Sequence, residues 1–69
     1  MLQYYIVPPD IVDAYQGKVK GDIGISFRQN NAGDQVVNIE VAPLWPEIDW
    51  STMQIVQLAE RDFPIDVIR

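Results

Sequence analysis

Apolar and polar residues alternate in several stretches of this chain. Residues 2–7, Leu2-Gln3-Tyr4-Tyr5-Ile6-Val7, are rich in β-formers, and Pro8-Pro9 follows at once. They predict a strand ended by the prolines. After them, Asp10 is placed to cap a short turn through Ile11-Val12-Asp13-Ala14-Tyr15, before Gly17. That stretch fits one helical turn or a loop equally well. Val19, Gly21, Ile23, Ile25 and Phe27 then share one parity, and Lys18, Lys20, Asp22, Ser26 and Arg28 share the other. This is a strand with one dry and one wet face, with Gly21 and Gly24 marking a bend or bulge. Residues 36–42 repeat the pattern: Val37, Ile39 and Val41 face one way, Asn38 and Glu40 the other.

Parity restricts how these two ribbons can pair. Their apolar positions are odd-numbered, so facing residues must have even sums. A sum of 64 leaves the three-residue loop Asn31-Ala32-Gly33, with Gly33 left-handed. Phe27 would then face Val37, Ile25 would face Ile39, and Ile23 would face Val41. A five-residue loop keeps the same pairs, whereas two- and four-residue loops oppose apolar to polar side chains.

Residues 42–49 contain Pro43 and Pro46 and have no clean period, so they predict a connection. Ser51-Thr52-Met53-Gln54 matches a capping box, with Trp50 and Ile55 at the positions of a hydrophobic staple. A helix through about Arg61 follows, presenting Ile55, Leu58 and Ala59 on one stripe; Phe63 before Pro64 ends it. Ile65-Asp66-Val67-Ile68 reads as a last short strand. The expected architecture is α+β: a small, mainly antiparallel sheet of three to four strands, one C-terminal helix packed on one face, and a single small domain over residues 1–69.

Size and charge narrow the functions. A chain of 69 residues buries only about 60% of its unfolded surface, and with no cysteine it has no disulfide staple. The remaining routes to stability are a well-made core or association with another chain, so self-association is a live expectation from size. Ten acids against five bases give a net charge of -5, a poor fit to direct nucleic-acid binding. No apolar run approaches a membrane span, and the N-terminus lacks the basic flank of an export signal. No membrane association is expected, and a cytoplasmic location is the default.

Catalytic chemistry is thinly provided for. There is no histidine or cysteine, so no Cys/His zinc site and no histidine acid–base catalyst. Ser51 and Thr52 fit a cap, Ser26 a strand surface, and Lys18 and Lys20 a solvated strand face. Glu47 with Asp49 and Glu60 with Asp62 read as solvated charge, lacking the dense spacing of a calcium loop. Gly17, Gly21 and Gly24 match neither a dinucleotide fingerprint nor a phosphate loop. No enzyme activity, cofactor or metal is expected.

The stretch from Leu44 to Trp50 stands out. It holds Trp45, Trp50, Leu44 and Ile48 with two acids between them. Tryptophan and tyrosine are enriched at binding hot spots. Trp50 is expected as the staple, whereas Trp45 could close the core or meet a partner. Tyr4 and Tyr5 face opposite ways in a strand, so one must find solvent or a partner outside a one-sided core. The candidate protein-binding residues are Tyr4, Tyr5, Leu44, Trp45, Glu47 and Asp49.

The expected function is a non-catalytic protein-interaction module: a homo-oligomer or a subunit of an assembly, of the kind common among phage and bacterial accessory genes. It would dock through a sheet edge offered by residues 2–7 or 65–68, or through the aromatic patch. One alternative is an acidic inhibitor that mimics nucleic acid and fills a basic site on a host enzyme. The other is a small-ligand binder or enzyme subunit with a pocket between helix and sheet.

Overall fold

The computed structural model describes residues 1–64, so the strand expected over 65–68 lies outside the described residues. The elements are β1 (Leu2–Ile6), α1 (Pro9–Tyr15), β2 (Val19–Lys20), β3 (Ile23–Gly24), β4 (Arg28–Gln29), β5 (Gln35–Asn38) and β6 (Ile55–Leu58), with 3-10 turns at Ile39–Leu44, Trp50–Thr52 and Glu60–Asp62. Four strands form an antiparallel sheet in the order β4-β5-β1-β6; β2 and β3 form a separate two-stranded ribbon. The fold is a small α+β arrangement.

β1 is the centre of the sheet. The strand over these residues and the Pro8-Pro9 stop appear as the sequence predicts. The amide of Val7 donates to Gln35 O at 2.8 Å and that of Ile6 to Gln54 O at 2.9 Å. Odd residues of β1 therefore bond toward β5, and even residues toward β6. Residues 2–7 are not a free edge, and the docking mode that used them is corrected.

Both faces of the sheet are covered. On one, Val7 and Val37 pack with Val12 of α1, Ile25, Phe27, Trp45 and Ile48, with Tyr5, Trp50 and Met53 at the margin. On the other, Tyr4 and Val36 pack with Phe63, flanked by Ile6, Val56 and Leu58. The one-sided core predicted from the hairpin is thus corrected. The period-two rule holds: Tyr4 and Tyr5 do face opposite ways, and each finds a core. The chain after β6 supplies the second cover by crossing this face. Asn31 N donates to Asp62 O at 2.8 Å, and the Arg28 guanidinium lies 3.6 Å from the Phe63 ring centroid.

The hairpin register is partly as predicted. Arg28 pairs with Val36 and Gln29 with Gln35, each summing to 64. Asn30 N donates to Asp34 O at 3.0 Å, so the loop is Asn31-Ala32-Gly33, with Gly33 at φ +88°. The Asn30 side-chain oxygen accepts from Asp34 N at 2.9 Å and fixes the loop from inside. The ladder stops at Arg28, so the predicted pair of Phe27 with Val37 is not part of it, and the pairings of Ile25 with Ile39 and Ile23 with Val41 do not form. At one end, Gly21 at φ +61° opens a tight turn that pairs Lys20 with Ile23, folding this stretch on itself. At the other, the Asn38 side chain accepts from Glu40 N at 2.9 Å and diverts the chain into a 3-10 turn. Ile25 is 1% and Phe27 8% exposed, but Val19 is 62% and Ile23 47% exposed, so only half of the predicted dry face is dry.

Two helix expectations need correction. Between residues 8 and 17 the helical reading holds, but Asp10 is not the cap: Pro8 occupies the N-cap position and the helix starts on Pro9. The helix predicted from Ser51 to Arg61 is absent. Ile55–Leu58 is a strand, Ser51 donates to Asp49 Oδ1 at 2.5 Å instead of capping, and Trp50 lies on Tyr5, with ring centroids 5.0 Å apart, rather than stapling Ile55. The reason is tertiary. Leu58 satisfies both periods, but Val56 and Leu58 together fit period two and cover Tyr4. A strand also satisfies the even-numbered amides and carbonyls of β1, which a helix lying on the sheet would leave open. An isolated helix of that length is marginal in any case.

Two substitutions separate these arrangements. Phe63→Ala should lower stability by about 3–5 kcal/mol, because it removes a buried ring that packs on Tyr4 and Val36. Ser51→Ala, which would lose about 1 kcal/mol in a capped helix, should stay within about 0.5 kcal/mol here. Urea midpoints for the two variants check both values. Gly33→Val forces a β-branched residue to positive φ and should shift the same midpoint by about 1–3 kcal/mol.

Candidate functional site

The six candidate binding residues do not form one surface. Tyr4 is 5% exposed and lies edge-on to Phe63, with centroids 5.4 Å apart. Tyr5 is half-buried against Trp50. Trp45 is 2% exposed and meets the Tyr15 ring edge-on at 5.8 Å. These rings serve the two cores. Leu44, Glu47 and Asp49 are exposed, but Asp49 is engaged locally by Ser51 and Thr52.

Leu44, Trp45 and Glu47 converge on one residue that sequence reasoning left in solvent. The Lys20 ammonium donates to Leu44 O at 3.0 Å and to Glu47 Oε1 at 2.9 Å, and lies 4.6 Å from the Trp45 ring centroid. This latch ties the β2–β3 ribbon to the 44–50 connection. It arises because the Gly21 turn pairs Lys20 with Ile23 and brings the Lys20 side chain to the 44–50 connection. Trp50 Nε1 donates to Trp45 O at 2.9 Å and steadies the connection from the other side. Trp45 Nε1 is buried with no partner. Lys18 and Lys20 do share a side, as their spacing implies, but that side is the wall of a cleft with Tyr15 and Trp45.

The second feature is the outer edge of β6. Because Gln54, Val56 and Leu58 bond inward to β1, the amides and carbonyls of Ile55 and Gln57 point away from the sheet. Both residues are exposed, Ile55 at 50%. Ile55-Val56-Gln57-Leu58 contains no charge and no proline, the usual guards of an edge. Residues read as a helix could not have been recognised as an edge; the adjacent β-branched pair Ile55-Val56 was the available signal. Among the described residues, no group of three acidic side chains is placed to hold a metal, and no helix is long and apolar enough to cross a membrane.

The latch makes a pH prediction. The hydrogen bond from Lys20 holds the Glu47 carboxyl below its usual range. A lowered carboxylate pKa contributes stability above the unfolded-state value, and that contribution is lost as pH falls through the folded-state value. Acid should therefore release Lys20 from Glu47 and alter the emission of Trp45. Glu47→Gln should remove that acid transition from the fluorescence while leaving the spectrum at neutral pH close to wild type. The chain matches no family model, no curated protein and no solved structure, so a function for it has to come from its own geometry.

Proposed function

We propose that this chain is a non-catalytic protein-interaction module that docks by strand addition at the outer edge of β6, working in the cytoplasm. The observation that carries this reading is the row of outward amides and carbonyls on Ile55 and Gln57, in a strand free of charge and proline. An extended segment laid along such an edge takes up the main-chain groups and covers Ile55. The segment comes from a second copy of the chain or from another subunit of an assembly. A short edge of this kind buries little area, so self-pairing alone is weak and concentration-dependent. The partner surface moves from the aromatic residues to the edge, because Tyr4 and Trp45 are committed to the cores.

The acidic-inhibitor alternative draws support from the charge of -5. Two acids, Glu47 and Glu60, are nevertheless spent on Lys20 and Arg28. The edge remains the better-supported reading.

Molar mass measured across a dilution series tests it. The wild-type chain should rise above monomer mass at high concentration, and Ile55→Lys should hold it monomeric with stability changed by no more than about 0.5 kcal/mol. Gln57→Pro, which removes one outward donor, should act the same way. If the wild type stays monomeric, a peptide array scored for binding that both variants abolish separates a foreign partner from an inert edge.

A further inference from the structure

The ribbon, the end of α1 and the 44–50 connection enclose a cleft that plays no part in the β6 edge. Tyr15, Lys18, Val19, Lys20, Trp45 and Glu47 line about 530 Å3. Its two ammonium groups and one carboxylate leave it net positive, on a chain whose net charge is -5. The two lysines are not equivalent. Lys20 is held by Leu44 O, Glu47 and the Trp45 ring. The Lys18 backbone is bonded to Tyr15 O and Ile25 N, but its ammonium makes no hydrogen bond or ion pair among the described residues and lies 5.8 Å from the Tyr15 ring centroid. Beside it Val19 leaves 62% of its surface in water.

We propose that this cleft binds a small aromatic monocarboxylate, with the carboxylate on Lys18 and the ring against Tyr15 and Val19. Lys20, locked to Glu47, forms a fixed wall above Trp45. The anion is a monoanion because Glu47 sits in the same wall and opposes a second negative charge. A phosphate dianion is disfavoured for that reason. The ring fits because an aromatic face beside a cation favours a flat, apolar group that also covers Val19. The ligand need not displace the latch: Lys18 supplies donors that are uncommitted, while the donors of Lys20 stay in use.

The test uses the full chain labelled for amide and indole resonances, titrated with 3-phenylpropionate, with 3-phenylpropionamide and with inorganic phosphate. The carboxylate should give saturable shifts at Lys18, Val19 and the Trp45 indole N–H, with the Trp50 indole N–H unmoved. The neutral amide should bind at least about tenfold more weakly, the loss of one charge-assisted contact. Phosphate should give no saturable shift in the cleft. Lys18→Gln should weaken the carboxylate by a similar factor without moving the melting temperature, since the Lys18 ammonium makes no contact that folding needs. Equal affinity for amide and carboxylate, saturable phosphate binding, unchanged affinity in Lys18→Gln, or no saturable shift up to roughly 20 mM overturns the proposal. Ile55→Lys should bind the carboxylate as the wild type does, so the fate of the β6 reading is separable.

Discussion

The fold depends on one strand being satisfied four ways. β1 bonds to β5 through its odd residues and to β6 through its even ones, and buries Tyr5 on one face and Tyr4 on the other. A small chain cannot afford a sheet with one wet face, because too little apolar area would leave water to offset the entropy of ordering. Covering both faces raises the share of residues that contribute. It also explains an odd feature of composition: neighbouring large apolar residues in single strands, Tyr4-Tyr5 and Val36-Val37, where simple alternation would place one polar residue in two. Val36 and Val37 are 0% and 3% exposed.

Two-sided burial dictates what the rest of the chain does. One face receives α1, Ile25, Phe27 and the tryptophan connection, most of the length between β1 and β6. Among the described residues, the other face is covered by the segment after β6, where Phe63 packs on Tyr4 and Val36 with Ile6, Val56 and Leu58 at its margin. The Arg28 guanidinium on the Phe63 ring and the Asn31 bonds to Asp62 O and Arg61 O hold it in place. The Arg28–Glu60 pair at 3.4 Å adds little, because both side chains are exposed. Placement of Phe63 rests on packing and main-chain bonds rather than on ion pairs.

What was legible in the sequence followed from local rules that nothing in the tertiary structure opposed. The prolines end β1, and the parity of Phe27 and Val37 fixes a register that the Asn31-Ala32-Gly33 loop then realises. What was illegible involved choices between local signals of similar strength. Ser51 through Gln54 carries a plausible cap, yet a strand there completes β1 and covers Tyr4 at once, and those gains lie far away in sequence. Likewise Gly21 marks a bend in any reading. That it starts a tight turn, rather than bulging a long strand, depends on Lys20 finding Leu44 O, Glu47 and Trp45 more than twenty residues on. The same holds for the candidate site: a one-sided core has no place for one of Tyr4 and Tyr5, and the sequence leaves Trp45 open between core and partner, whereas Tyr4 and Trp45 are buried here.

The relation between core and surface then reverses the usual search for hot spots. In a chain this short, the aromatic residues that would make the best anchors are the ones the interior needs most, so burial claims Tyr4, Trp45 and Phe63 first. What the proposals leave for recognition, among the described residues, is main chain and charge: a strand edge at Ile55 and Gln57, and an ammonium at Lys18 beside an exposed Val19. Such contacts are weak one at a time, because an edge of four residues and a single cation each bury little area. They discriminate by geometry instead, since a strand edge accepts only an extended backbone in register and a single ammonium beside an aromatic face prefers a monoanion on a flat body. On the proposed reading, a chain whose Tyr4, Trp45 and Phe63 are committed to its cores would recognise partners mainly by hydrogen-bond direction and charge count rather than by buried area.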